Sequence, residues 1–327
     1  MHVMGGGDVG GAKTQIMNTV TGLSRTNDVM LISFRAGPFA DEARERGIDV
    51  RVIERHNPFR AARTMRDLVD EFKPDIIHCH GGRANLMGAM VRRSRHIPII
   101  TTVHSDYRLD YLGSPLKQHT LGTANAIALR FLDFYQPVAD RMARTLIERG
   151  FDPERIVKIY NGMEFNRPEG EFDRAAYLRE TYGAEIEEGD VLCGIAARLT
   201  AVKDIATTVR GFAEALKTAP QLRLFIAGDG EDADMLKKLC DQLGVRERVT
   251  FCGWVSPVMP FFRAMDINLL SSVSETFPYS ILEGVCAGCA TICSDVGGMP
   301  ELIDTGENGY IFPVGDDKKL AEYMARL

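Results

Sequence analysis

Two glutamates eight positions apart, Glu275 and Glu283, are the side chains of this sequence best spaced for chemistry, in Ser274-Glu275-Thr276-Phe277-Pro278-Tyr279-Ser280-Ile281-Leu282-Glu283. Proline favours the first turn of a helix, so Pro278 predicts a helix beginning there, with Glu275 just ahead of its N-terminus and Glu283 about a turn and a half inside. At ~1.5 Å of rise per residue the two carboxylates stand roughly 10 Å apart. That span suits a ligand with hydroxyl groups at both ends and a diphosphate between them, as in a nucleotide sugar. The backbone of Phe277, Pro278 and Tyr279, at the positive end of the helix dipole, would face the diphosphate. Taken alone, two glutamates at this spacing are more often a solvated helix face, so their surroundings must decide.

The segment Gly194 to Asp204 puts Arg198 at the end of an apolar run and Lys203 near the start of the next helical stretch. Such a pair can hold a diphosphate. Arginine supplies a fork of donors and lysine a compact charge, and together they offset the charge that builds up on a departing nucleotide. His104 follows the run Ile97 to Val103, at the mouth of a strand, where open α/β sheets bind ligands. His78 and His80 share one face of a strand by the two-residue period, and as a pair could ligate a metal. The plainer reading packs one of them in the core. Phe225 to Gly230 and Phe251 to Val255 each end a strand in a glycine turn that could border a nucleobase.

Gly5-Gly6-Gly7-Asp8-Val9-Gly10 satisfies G-x-G-x-x-G, which raises a dinucleotide-binding dehydrogenase. The second strand argues against it, because Val29 to Phe34 runs into Arg35 where an acidic residue would hold the ribose. A glycine loop approaching a ligand is the better reading. Cys286, Cys289 and Cys293 lack a fourth ligand at metal spacing and read as small buried residues, so no metal site is expected there.

Short apolar runs alternate with amphipathic stretches throughout the chain, the pattern of parallel sheets wrapped by helices. Runs at 2–4, 29–34, 75–80 and 97–104 form one series, and runs at 191–197, 222–227, 249–252, 267–270 and 290–293 a second. The fold class is therefore α/β with two Rossmann-like domains, 1–165 and 166–327, joined by the polar stretch Asn161 to Gly170. With 327 residues, 45% of them hydrophobic and 26% charged, the chain has material for two cores. No run approaches the ~20 apolar residues of a membrane span, the seven cysteines are scattered, and a cytoplasmic location is expected. The net charge of -6 divides unevenly: residues 1–150 carry 21 Lys+Arg against 16 Asp+Glu, and 151–327 carry 18 against 29. Arg60, Arg63 and Arg66, with Arg92, Arg93 and Arg95, are candidates for peripheral contact with anionic lipid, and no nucleic-acid partner is expected.

The segment from Glu275 to Glu283 resembles the Glu-x7-Glu motif of retaining family 4 glycosyltransferases, also described as glycosyl transferases group 1. The resemblance covers most of the chain in order. It implies the GT-B architecture of two Rossmann-like domains facing a central cleft, the first on the acceptor side and the second on the donor side. It further implies transfer of a sugar from a nucleotide-diphosphate donor, UDP- or GDP-linked, to a hydroxyl of a glycan or lipid-linked acceptor, without a metal. Glu275 would then bind the sugar hydroxyls and Glu283 the ribose, with Arg198 and Lys203 on the diphosphate. His104 and the Gly10-Gly11 pair would meet the donor sugar, Val255 the base, and His80 the acceptor side. Cell-envelope polysaccharide or glycolipid synthesis is the expected setting. A nucleotide-sugar epimerase or hydrolase on the same fold, or a binding module without activity, stays open at this point. The first strand has only about four residues before Gly5 and Lys318 to Leu327 stops within a helix-like pattern, so both ends are expected to be clipped, where members of the family resembling this chain usually continue with C-terminal helices.

Overall fold

The computed structural model describes residues 1–5, 11–55, 57–106, 118–165 and 170–327. They form two compact units, Met1–Gly162 and Met163–Leu327. In unit 1 the strands are β1 (His2–Met4), β2 (Met30–Ser33), β3 (Asp49–Val52), β4 (Ile77–His80), β5 (Ile99–Val103) and β6 (Phe134–Pro137). The helices between them are α1 (Gly11–Leu23), α2 (Pro38–Glu45), α3 (Pro58–Phe72), α4 (Gly82–Arg92), α5 (Thr123–Leu129) and, after β6, α6 (Asp140–Glu148). Unit 2 opens with α7 (Arg174–Tyr182). It continues β7 (Val191–Ala196), α8 (Ile205–Ala215), β8 (Leu222–Ala227), α9 (Ala233–Gln242), β9 (Val249–Gly253), α10 (Met259–Ala264) and β10 (Ile267–Leu270). It ends α11 (Tyr279–Ala287), β11 (Ala290–Ser294), α12 (Met299–Leu302), β12 (Gly309–Phe312) and α13 (Asp317–Arg326).

Each unit has one six-stranded sheet, ordered β3-β2-β1-β4-β5-β6 in the first and β12-β11-β10-β7-β8-β9 in the second. All neighbours pair parallel. This is the doubly wound order, and in each sheet the chain reverses its direction of travel between the two central strands. Helices cover both faces, which is why central strands such as β2 and β10 are buried at every position. The largest fully buried side chains of unit 2 include Phe212, Phe225, Phe261, Phe262 and Phe312. Each such side chain contributes about 1.5–3 kcal/mol by leaving water.

Three strands were not anticipated from sequence: β3, β6 and β12. All three are sheet edges. An edge strand needs apolar residues on less of its surface, so Asp49-Val50-Arg51-Val52 reads as polar, and Gly309-Tyr310 passes for a turn.

Two close approaches in unit 2 set the loops at the strand ends. Gly228, in the turn after β8 with φ +136°, lies so near the backbone after β7 that a Cβ would stand 1.8 Å from the Ala197 carbonyl oxygen. Gly297, with φ +54°, likewise abuts the Glu275 and Thr276 carbonyls at 2.4 and 2.5 Å from a would-be Cβ. Both positions need glycine for backbone conformation and for space. Gly228→Ala is expected to cost more than about 3 kcal/mol, read as a lower urea midpoint at unchanged slope. A midpoint shift within error would mean that the β8 turn does not brace the loop after β7.

Candidate active site

Unit 2 gathers most of the sequence-predicted residues at the C-terminal ends of its two central strands. Arg198 leaves β7 in a loop fixed by backbone hydrogen bonds, Ala197 N–H to Ala227 O at 3.0 Å and Leu199 N–H to Asp229 O at 2.9 Å. The glycine turn after β8 thus serves as the brace of Arg198. The Arg198 side chain is exposed and has no hydrogen-bond or ion-pair partner among the described residues.

Lys203 ends the same loop, one residue ahead of the α8 N-cap. Asp204 takes that cap in a left-handed conformation, φ 44°, and its carboxylate accepts from Thr207 N–H at 3.4 Å and Thr207 Oγ1–H at 2.6 Å. The Ser271 hydroxyl, just past β10, donates to the Lys203 and Asp204 carbonyls at 3.1 and 2.8 Å. Val273 N–H donates to Val202 O at 2.9 Å. These bonds lace the loop after β7 to the loop after β10. The side chains complete the join, because Lys203 Nζ forms an ion pair with Glu275 Oε1. Ser272 Oγ donates to the same oxygen at 2.8 Å. Both side chains are largely buried, 19% exposed for Lys203 and 11% for Glu275, so solvent screens the pair less than a surface bridge. Both side-chain bonds of Glu275 among the described residues fall on Oε1, which leaves Oε2 able to accept from a ligand hydroxyl. Lys203 uses one of its three N–H donors on Glu275.

The helix that carries Glu283 starts one residue later than expected. Pro278 occupies the N-cap in an extended conformation, φ -74° and ψ 132°, and Tyr279 is the first helical residue. Phe277, Pro278 and Tyr279 are buried. The helix α11 sits hard against β10, because Gly284 faces Asn268, whose side-chain amide donates to Ser280 O at 2.9 Å. A left-handed Gly288 closes it. Glu283 is half-buried and pairs with nothing among the described residues. Burial without a partner pushes its carboxyl up to about 6. Val255 is half-buried in the loop after β9.

In unit 1, His104 directly follows β5. The next turn is anchored where Arg149 donates from Nη1 and Nη2 to the two oxygens of Asp106, 2.6 Å each. Burial lowers His104 to about 4, so the ring is neutral at pH 7. A cavity of about 40 Å³ beside it is lined by Gly81, Asn85, Thr101, Thr102 and Asn125, among others. Gly11 is the exposed first residue of α1, and Gly10 lies outside the described residues. His80 is buried, and His78 is half-buried with Nε2 2.7 Å from Thr102 Oγ1.

The basic clusters are less available than their sequence suggests. Arg92 is clamped on Asp133 and Arg95 on Asp70. Arg66 reaches the Met90 carbonyl, whereas Arg60 and Arg63 are exposed on α3. No described helix is long and apolar enough to cross a membrane. Sequence reasoning missed Ser271 and Ser272, whose signal was a short polar interruption right after an apolar strand. It also missed His2, which joins the unit 1 histidines and has no motif of its own.

Residues 9–167 match the profile of Glycosyltransferase Family 4, and residues 183–327 that of Glycosyl transferases group 1. An uncharacterised glycosyltransferase of Methanocaldococcus jannaschii is 29% identical over 260 residues, covering 75% of this chain and 64% of that protein. An alpha-monoglucosyldiacylglycerol synthase of Streptococcus pneumoniae is 26% identical over 250 residues, covering 73% of this chain and 56% of that protein. The chain thus spans between about half and two thirds of the length of these two relatives. Among solved structures, Anabaena HepE in complex with UDP-glucose superposes with a TM-score of 0.82 at 20% identity, over 98% of this chain and 88% of the other. That likeness establishes the GT-B fold, and with the two family profiles covering the two halves in order, the chain belongs to the family 4, group 1 glycosyltransferases.

Proposed function

We propose that this protein is a retaining glycosyltransferase that moves a hexose from a UDP-sugar to a hydroxyl of a lipid or glycan acceptor of the cell envelope. One observation carries the reading. The loops after β7 and β10 are laced together where the unit 2 sheet changes direction, and the join puts Arg198, Lys203 and Glu275 at the strand mouths where doubly wound sheets bind nucleotides. Glu275 is assigned to the sugar hydroxyls through Oε2, and Glu283 to the ribose. Arg198 and Lys203 are assigned to the diphosphate, with the α11 N-terminus beside them. Val255 is assigned to the base. Unit 1 is assigned the acceptor side, with His104 at the mouth of its sheet.

In this reading the leaving phosphate takes the acceptor's proton while the new bond forms on the same face of the sugar. The diphosphate's growing charge is met by the Arg198 guanidinium and the Lys203 ammonium, which need no reorganisation at that moment. Glu275 is not assigned as a nucleophile. Its carboxylate is already held by an ammonium and a hydroxyl, an arrangement suited to accepting sugar hydroxyl hydrogen bonds. The UDP-glucose bound by HepE supports the donor, and the lipid product in the streptococcal relative's name supports the acceptor. Seven free cysteines, six of them buried, fit a reducing compartment such as the cytoplasm. Transfer, rather than epimerisation or hydrolysis, requires that product appear only with acceptor present.

Arg198→Ala removes an exposed side chain that has no partner among the described residues, so the fold should hold while UDP affinity drops about tenfold or more by calorimetry. Unchanged affinity would remove Arg198 from the diphosphate. Glu275→Gln, which keeps an acceptor for Lys203 and Ser272 but removes the charge, is expected to weaken UDP-sugar binding about tenfold more than it changes UDP binding. Equal effects on both ligands would contradict its place at the sugar.

Glu283→Gln separates stability from binding. The native carboxyl titrates near 6, above the unfolded value of 4.5, so its cost to stability is absent below about pH 4.5, grows as pH rises to 6, and is complete above that. The variant should therefore be more stable than the parent by about 1–2 kcal/mol at pH 7.5, equal to it at pH 4, and weaker for UDP. A variant that is less stable at pH 7.5 would show that Glu283 is satisfied in the free protein.

A further inference from the structure

Histidines crowd one face of the unit 1 sheet, within β1, β4 and the end of β5. Parallel pairing sets His2 opposite His78 and His80 opposite Thr102, so the rings of His2, His78 and His80 project from the same face. Ring centroids lie 4.4 Å apart for His78–His80, 5.0 Å for His2–His78 and 5.5 Å for His2–His80. One ring nitrogen from each of the three falls within 4.8 Å of the other two.

The spacing has a metrical consequence. Two imidazole nitrogens at 2.0–2.1 Å from a tetrahedral ion stand about 3.3 Å apart. His2 Nδ1 lies 3.2 Å from His80 Nε2, a hydrogen bond in the metal-free protein whose length is close to the separation of two ligands on one metal, and the stacked His78 and His80 rings, 23° apart, must turn for their lone pairs to converge. Neighbours orient the rings. Thr102 Oγ1 holds His78 through Nε2 at 2.7 Å, and His104 Nε2 stands 3.3 Å from His80 Nδ1. With its proton on Nδ1 and donated to His104, His80 turns the lone pair of Nε2 toward His2, the outer-shell arrangement that steers metal-bound imidazoles.

We propose that His2, His78 and His80 form a binding site for one divalent transition metal of the zinc class, which would staple β1 to β4. An all-imidazole set suits zinc, copper, nickel or cobalt and discriminates against magnesium and calcium. On binding, the proton shared by His2 and His80 moves to His2 Nε2. Each ring stays neutral and none is released. His78 is half-buried and gives the ion its route in. Through His80 the ion also fixes the tautomer of His104, with hydrogen on Nδ1. The site lies within unit 1, is separate from the diphosphate assignment, and does not depend on the transfer reading.

The test is titration of the full chain with Zn²⁺ and Co²⁺ alone, by calorimetry and visible absorption. One equivalent is expected to bind, with the intense cobalt bands of tetrahedral nitrogen ligation. His78→Gln should weaken binding at least about tenfold, and His96→Gln, on an exposed ring, should not. Where His78→Gln fails to fold, the Cu²⁺ spin-resonance spectrum of the parent reports the ligands directly, and three imidazole nitrogens are expected. No saturable binding by the folded parent, binding unchanged in a folded His78→Gln, or a spectrum without imidazole nitrogens would each overturn the site.

Discussion

The ion pair of Lys203 with Glu275 is the contact on which the unit 2 site depends, because it joins two loops that leave adjacent central strands at the point where the sheet changes direction. Charged partners this buried are costly to separate, since each would be left without the other in a poorly solvated place. The pair does not act alone. Ser271 ties the same loops through backbone carbonyls, and Gly228 and Gly297 let neighbouring turns press on the backbone from either side. The result is a set of side chains held by main-chain geometry, which is how a site keeps its shape before a ligand arrives.

Against this frame stand two groups that the free protein does not satisfy. Glu283 is desolvated without a partner, and Arg198 extends into solvent without one among the described residues. A carboxyl held near 6 is a standing cost at neutral pH, and a ligand hydroxyl that hydrogen-bonds to it would lower that cost. Stability given up locally for affinity is the usual compromise at functional sites.

Unit 1 handles polarity in the opposite manner. Its β1 and β4 strands carry imidazoles that are neutral because they are desolvated and crowd one another. Its arginines are largely committed to partners, Arg92 to Asp133, Arg95 to Asp70 and Arg149 to Asp106. The excess of positive charge counted along residues 1–150 is therefore not a continuous basic surface, and Arg60 and Arg63 on α3 are what remains exposed of the first cluster.

Much of this was legible in the sequence. Central strands are apolar on both faces and helices are amphipathic, so alternating runs determined two doubly wound sheets, while the spacings Arg198–Lys203 and Glu275–Glu283 marked the loops that matter. Edge strands β3, β6 and β12 escaped because their half-exposed surfaces carry no comparable pattern. Tertiary structure alone decided which charges meet. Lys203 and Glu275 are 72 residues apart, and His2 and His80 are 78 apart, so only sheet register brings them together. It also decided that Arg92 and Arg95 are neutralised while Glu283 is left unpaired among the described residues. Local spacing fixes direction along one element, but pairing and burial depend on what the rest of the fold places opposite.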